Sequence, residues 1–263
     1  MQEGGIVVVD DTRWGTRIPT NHRLHDRVVA KGFVPRHVVE VGVGHPKSSS
    51  VIGFIQRGIR TTLVEPDPFA IALIRSAFGG MDHVTLHTCA LCDEAGAVEL
   101  CQRAGSTFVA TLEATPALVN DRAHLEQPEL FTAEAKRFDA IDDGGIDLLS
   151  IDIEGGEWFV LKHMVSRPAV VSVETHGGIY INPYLAEIRG WMVENRYVLW
   201  YLDGSDSVFV REGTVALSLW DRMALIWTRG YLVARFWKKK VNRGFKGLFG
   251  VRTWPELFKP KSQ

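Results

Sequence analysis

Cysteine is scarce in this chain of 263 residues: there are three, Cys89, Cys92 and Cys101. An odd, low count excludes a disulfide framework. Cys89 and Cys92 have the Cys-x-x-Cys spacing, but a structural zinc takes four ligands, so all three read as free thiols. Long apolar runs are missing too, and none approaches the roughly 18–20 residues that a membrane-spanning helix needs. The opening Met1-Gln2-Glu3-Gly4-Gly5 has no basic stretch leading into an apolar one. No secretory signal is visible, and a cytoplasmic protein is expected. Internal repeats and low-complexity segments are absent. An overall excess of charge is lacking as well, with 30 Lys and Arg against 31 Asp and Glu.

That balance hides an asymmetry. Residues 214–263 hold 11 Lys and Arg and 2 Asp and Glu, whereas residues 1–213 hold 19 and 29. The chain therefore divides into a body, 1–213, and a basic tail, 214–263.

Apolar runs alternate with helical patterns through the body. Val38–Val41, Thr61–Val64, Val84–His87, Asp147–Ile153 and Ala169–Glu174 read as strands. Helices are expected over Ser48–Arg57 (capped by one of Ser48, Ser49 and Ser50), Phe69–Phe78, 157–166 and Pro183–Asn195, with Asn182 as cap and Pro183 in first position. Alternation of this kind means an α/β fold with a doubly wound, mostly parallel sheet. Tyr197–Tyr201 and Ser207–Arg211 flank Asp203-Gly204-Ser205-Asp206, which reads as a hairpin turn, so the sheet should finish with an antiparallel C-terminal strand. Ala97–Cys101 reads as an extra strand. Residues 103–137 are polar and helix-prone, and read as an insertion or lid in which Gly105-Ser106-Thr107-Phe108 is placed to close over a site.

The most informative stretch is Leu148-Leu149-Ser150-Ile151-Asp152-Ile153-Glu154-Gly155-Gly156-Glu157. A buried strand ends there in three carboxylates, at the edge of the sheet where α/β folds bind ligands. Carboxylates so placed can orient a hydroxyl, take its proton or hold a cation. The plainer reading is an acidic first helical turn, and it suits Glu157 best.

Earlier in the chain, Glu40-Val41-Gly42-Val43-Gly44 follows two valines, and glycines at such a turn let a ligand approach the backbone. Glu65 closes the next strand, 21 residues after Gly44, where a carboxylate can accept both hydroxyls of a ribose. The loop continues Gly44-His45-Pro46-Lys47, without the third glycine of a dinucleotide site. An acid before the first glycine suits a cofactor with an amino group and no phosphate, and S-adenosylmethionine is favoured over NAD.

Several segments, taken in order, carry a family resemblance. They are Val64-Glu65-Pro66-Asp67-Pro68, Ala90-Leu91-Cys92-Asp93, Ile151-Asp152-Ile153-Glu154-Gly155-Gly156-Glu157 and Val173-Glu174-Thr175-His176. Over about residues 37–211 the chain resembles the FkbM-type methyltransferases, which have an I-D-x-E-G-x-E hallmark followed by acid-x-His. The resemblance implies a class I methyltransferase fold and an S-adenosylmethionine-dependent O-methyltransferase acting on a hydroxyl, of a glycan or a lipid-linked sugar. It places Glu40, Gly42 and Gly44 at the methionine end of the cofactor, Glu65 at the ribose, and Ala90 and Leu91 on the adenine side. Asp152, Glu154 and His176 would face the acceptor. The loop at Gly44-His45-Pro46 departs from the family pattern and leaves His45 and Lys47 open as contacts.

His176 is the candidate general base because its ordinary pKa lies near working pH; a structural histidine is the plainer reading. In a second version Asp152, Glu154, Glu174 and His176 hold a divalent cation that acidifies the hydroxyl. Tyr180, Asn182 and Tyr184 could touch a sugar. An NAD-linked oxidoreductase on the same fold and a non-catalytic adaptor of a glycan-assembly complex remain as alternatives.

In the tail, residues 220–249 show a helical period. Trp220, Met223, Trp227, Tyr231, Ala234, Trp237, Val241, Phe245, Leu248 and Phe249 share one broad face, and Arg222, Arg229, Lys239, Lys240, Arg243 and Lys246 the other. Trp with Lys and Arg on such a helix suits the surface of a membrane, here its inner face. Packing on the body or on a partner subunit is the other reading. No nucleic-acid-binding module is recognised.

Overall fold

The computed structural model describes residues 22–103, 106–109, 129–177 and 180–249. Its main sheet has seven strands: β1 (His37–Val41), β2 (Arg60–Val64), β3 (Val84–His87), β8 (Leu148–Ile151), β9 (Val170–Glu174), β12 (Tyr197–Asp203) and β13 (Asp206–Arg211). Their order is β12-β13-β9-β8-β1-β2-β3. β9, β8, β1, β2 and β3 pair in parallel, while β13 runs antiparallel to both β9 and β12. The last strand thus inserts between two strands of the opposite direction, as the hairpin at Asp203–Asp206 requires. Asp203 pairs with Asp206 and Gly204 has φ 51°, a conformation glycine adopts without steric cost.

The central strands are buried on both faces. β1, β8 and β9 show no exposed residue, which is why they read as continuous apolar runs rather than alternating ones. Val38 packs on one side with Leu24, Phe54, Ile55 and Ile74, from α1 (Arg23–Ala30), α2 (Ile52–Ile55) and α3 (Pro68–Phe78). Val39 and Val41 pack on the other with Val160, Leu161, Ile188 and Met192, from α4 (Glu157–Lys162) and α5 (Leu185–Glu194). α3 begins as its sequence dictates: Asp67 accepts from the Phe69 N–H at 2.8 Å, and Pro68 fills the first position.

A second sheet of four strands has the order β4-β7-β5-β6, built from β4 (Ala90–Leu91), β5 (Gly96–Arg103), β6 (Ser106–Val109) and β7 (Glu129–Lys136). Here the helix-prone reading of 103–137 fails. β7 has helix-forming residues, Glu129, Ala133, Glu134, Ala135 and Lys136, yet it pairs antiparallel with β5 from Gly96 to Gln102. Pairing with a distant strand overrides local propensity. Gly105 and residues 110–128 lie outside the described residues.

Two further expectations change. The helix expected over Ser48–Arg57 shrinks to α2, because the Glu40 carboxylate accepts the Ser49 hydroxyl (2.5 Å) and the Ser50 N–H (2.6 Å) and holds that segment in a turn. Asn182 and Pro183 do not start α5, which begins at Leu185. Asn182 is buried and serves the site instead. The tail forms α6 (Leu219–Phe249), packed on β12. Asp221 fixes it, taking hydrogen bonds from Lys31 (2.5 Å) and the Trp200 indole (3.1 Å).

Candidate active site

The loops after β1, β2 and β8 leave the sheet at one end and enclose a cavity of about 290 Å³. Gly42, Val43, Gly44 and His45 line it from the first loop, Glu65, Pro66 and Asp67 from the second, and Asp152, Ile153 and Glu154 from the third. The second sheet closes one side with Cys89, Ala90, Leu91, Leu100, Thr107 and Val109. The Thr107 hydroxyl reaches across to Asp67 at 2.9 Å, which ties β6 to the loop after β2.

The two loop glycines do different work. Gly42 has φ 80°, and a Cβ built on it would stand 1.8 Å from the Asp152 carbonyl oxygen. Its bareness admits the neighbouring β8 loop, rather than a ligand. Gly44 has φ 57° and nothing within 4 Å of its missing side chain. That open position is the place where a ligand can meet backbone.

Glu65 is buried and organises the loop. One oxygen accepts from the N–H groups of Val43 (2.9 Å) and Gly44 (2.8 Å), the other from Asp67 (2.9 Å). Burial pushes its pKa up, and these hydrogen bonds pull against the shift. One lone-pair site remains for an incoming hydroxyl, on the oxygen that accepts from Asp67. Glu40 lies behind the loop rather than on the cavity wall, bound to Ser49 and Ser50. Burial pushes its carboxyl up to about 8, although both hydrogen bonds lower it. His45 lines the cavity, its Nδ1 accepting from Lys47 N at 3.1 Å; the Lys47 side chain points to solvent.

The third loop gathers the carboxylates. Asp152 reaches solvent through the cavity, while protein packs behind it. Burial, followed by Glu154 and Glu157, pushes its pKa up to about 7, and the neighbouring Glu174 carboxyl opposes the shift. Burial, with Asp152 next, raises Glu174 further still. Asp206 of β13 joins the group, raised by burial and then by Asp152. Glu154 holds φ 58°, a left-handed conformation that costs a residue with a Cβ roughly 1 kcal/mol or more.

Glu157 is fully buried. It accepts from the N–H groups of Ile153 and Gly155, both at 3.0 Å, and from the Asn182 side-chain amide. Asn182 also donates to the Glu174 carbonyl (3.3 Å) and accepts from Tyr184 N (2.8 Å). Glu157 is therefore a pin between two loops, which neither acidic-turn nor cation-ligand reasoning anticipated.

His176 is not on this wall. Its ring lies at a second cavity, beside Arg189, and burial, then Arg189, lowers its pKa. The expected set of Asp152, Glu154, Glu174 and His176 thus does not converge. The trio that does is Asp152, Glu157 and Glu174, with oxygens within 4.8 Å of one another. Cys89, Leu100 and Val109 are cavity residues that sequence reasoning missed as such. Nothing local marks them, because the second sheet alone brings them there.

The strand order with one reversed strand, and a site built from a glycine loop and a closing acid, define a class I methyltransferase fold. The methyltransferase FkbM domain model matches residues 40–199, and the chain belongs to that family, whose members are S-adenosylmethionine-dependent methyltransferases. Among solved structures it is similar to one concerned with conversion of a disulfide bond into a thioacetal group during echinomycin biosynthesis (11% identity, TM-score 0.42, covering 82% of this chain and 94% of that one). It is also similar to a precorrin-6y C5,15-methyltransferase from Geobacter metallireducens (12%, 0.39, 76% and 93%). A third is the ribosomal protein L11 methylase from Lactobacillus delbrueckii subsp. bulgaricus (11%, 0.37, 72% and 77%). A search of curated proteins finds no match.

The cofactor's demands fit the residues present. Gly44 is open to close approach, Glu65 offers an acceptor site for a ribose hydroxyl, Ala90 and Leu91 give an apolar wall, and Asp152 and Glu154 offer negative charge toward a cationic group.

Proposed function

We propose that the protein methylates a hydroxyl group, on a glycan or a lipid-linked sugar, with Asp152 as the general base. The observation that carries this reading is the Asp152 carboxyl itself, open to the cofactor cavity with its pKa raised to about 7. A base tuned near working pH balances ionisation against proton affinity. S-adenosylmethionine supplies the electrophilic methyl group when bound. Asp152 accepts the hydroxyl proton as the oxygen attacks, and Glu154, on the same loop, orients the acceptor. Holding the reacting atoms in line supplies a large part of such a rate. Glu157, pinned by Asn182, keeps the loop in place.

The test is transfer of labelled methyl from S-adenosylmethionine to hydroxylated acceptors, scored for ether products. Cofactor binding without methyl transfer to any hydroxyl acceptor would leave the adaptor reading. Binding of NAD instead would leave the oxidoreductase.

Helix α6 supports a place of work at a membrane surface. Leu219, Trp220, Ile226, Trp227, Tyr231 and Trp237 are each more than half exposed, with Met223 and Val241 at 48% and 43%. At 3.6 residues per turn they fall on one side, while Asp221, Leu225, Leu232 and Phe236 turn toward the body. Arg222 and Arg229 lie along one edge of the apolar side. No helix among the described residues is long and apolar enough to cross a membrane, so the reading is a helix lying in the interface. Arg243, Phe245, Lys246, Leu248 and Phe249 have side chains outside the described residues. Flotation with anionic vesicles tests it: Trp220→Ser with Trp227→Ser should abolish flotation, and failure of the full chain to float removes the membrane.

A further inference from the structure

We infer that the second cavity, between α6 and the sheet, is a binding site for a single long hydrocarbon chain ending in a phosphate. The inference deepens the reading of a lipid-linked acceptor and rests on it for biological purpose, though not for binding. The cavity measures about 730 Å³, within the range of roughly 300–1,000 Å³ usual for small-molecule sites. It lies on the α5 face of the sheet, with Tyr197, Leu199 and Phe209 along the strands and Leu232 and Phe236 on α6. That lining suits a hydrocarbon, which gains by leaving water.

The charged groups around it are all of one sign. Arg189, Arg229 and Arg235 belong to its lining, and no Asp or Glu does. Among the described residues none of the three arginines is ion-paired. Three guanidinium forks without a carboxylate match a doubly charged phosphate better than a neutral head.

His176 adds a neutral donor. Its Nε2 is buried with no hydrogen-bond partner, and its Nδ1 lies 3.0 Å from the Thr175 hydroxyl, itself 2.6 Å from the Ser207 hydroxyl. With Thr175 donating to Nδ1, the ring proton stands on Nε2, an unpartnered donor on a residue of the cavity lining. Tyr180, whose hydroxyl is also buried without a partner, is another residue of the lining. His176 and Tyr180 belong to the hairpin of β10 (His176–Gly177) and β11 (Tyr180–Ile181) that follows β9. The site therefore reaches the same end of the sheet as the Asp152 cluster, and a chain seated there would bring its head group toward the acceptor side.

The experiment uses the full-length protein and hexadecyl phosphate below its micelle concentration, followed by calorimetry and by Trp fluorescence. Saturable binding at one site is expected, weakened at least about tenfold by the triple change Arg189→Ala, Arg229→Ala, Arg235→Ala, which removes three charged contacts. Hexadecanol should bind weakly for the same reason. Leu232→Trp, and separately Leu202→Phe, should block the site by filling it, with S-adenosylhomocysteine binding showing that each variant is folded. Trp220→Ser with Trp227→Ser, on the outer side of α6, should leave hexadecyl phosphate binding intact, which separates this site from adsorption to the exposed helix. Equal binding by the arginine-free and filled variants overturns the site, and so does competition by inorganic phosphate alone at equal strength. Binding of hexadecyl phosphate with no methyl transfer to any hydroxyl would keep the site and remove the proposed reaction. Methyl transfer to soluble glycans with no hexadecyl phosphate binding would do the reverse.

Discussion

Carboxyl oxygens of Glu174 and Asp152 lie within 4.8 Å of each other at the ends of the adjacent strands β8 and β9, and burial raises both carboxyls. Like charges this close do not both ionise near neutral pH, so the pair holds one proton. Glu174 is the more strongly raised and the less accessible, so the proton rests on its side of the pair, and Asp152 faces the cavity.

Asp152 should therefore set the acid limb of the pH–rate profile. A base must be deprotonated to act, so kcat/KM should climb through pH about 7 and level off above it. Asp152→Asn should lower kcat by about 10²- to 10⁴-fold, the usual worth of a general base, with S-adenosylhomocysteine affinity little changed. Glu174→Gln, a neutral group that still donates, should retain most activity. A Glu174→Gln loss as deep as that of Asp152→Asn would show that the charge resides on Glu174.

Glu40 should make stability fall as pH rises. Its pKa goes from the ordinary 4.5 to about 8 on burial. Between those values the folded chain binds more protons than the unfolded one. The stabilisation is fully present below 4.5 and is lost as pH rises through about 8. Glu40→Gln, which can still accept from Ser49 and Ser50, should flatten this dependence and raise the urea midpoint at pH 8.5 relative to pH 6. Parallel wild-type and variant curves across that interval would exclude the linkage.

The glycine loop predicts a split that its sequence hides. Gly42→Ala collides with the Asp152 carbonyl and should cost the strain of its positive φ, about 1–2 kcal/mol, together with about 1–3 kcal/mol of overpacking. Gly44→Ala meets no atom within 4 Å and should cost only the φ strain, while a methyl group in the cavity weakens cofactor binding. Thermal melts with and without S-adenosylhomocysteine separate the two. A larger Tm loss for Gly44→Ala than for Gly42→Ala would contradict the geometry.

These residues also show what was legible in advance. Buried strands announce themselves by continuous apolar runs, so β1, β2, β8 and β9, and with them Glu65 and Asp152 at their ends, follow from sequence. Gly42 and Gly44 look alike because their difference lies in the β8 loop, more than a hundred residues away. The β7 strand was hidden because its residues favour helix and only pairing with β5 makes it extended. The position of His176 was illegible for a related reason. It follows Glu174 by two residues, as it would on the same side of a strand, but the chain leaves the main sheet at Thr175 and turns into the β10–β11 hairpin. Glu174 then meets Asp152, and His176 meets Arg189.

Catalysis should not depend on a divalent cation at the acidic cluster. Asp152, Glu157 and Glu174 bring oxygens within 4.8 Å of one another, which is the spacing a cation would want. Their chemistry opposes it. Glu157 already accepts from two backbone N–H groups and an amide, whose positive ends point where a cation would sit. Glu174 holds a proton, and hard cations take ionised or carbonyl oxygens. The nitrogen ligand expected from His176 is turned to the other cavity. Methyl transfer in excess EDTA should stay within about twofold of the untreated rate, since none of the usual roles of a catalytic metal is filled. Magnesium or manganese should leave the Tm unchanged. Loss of activity in EDTA restored by one of these ions would overturn this, and with it the assignment of the acceptor's proton to Asp152 alone.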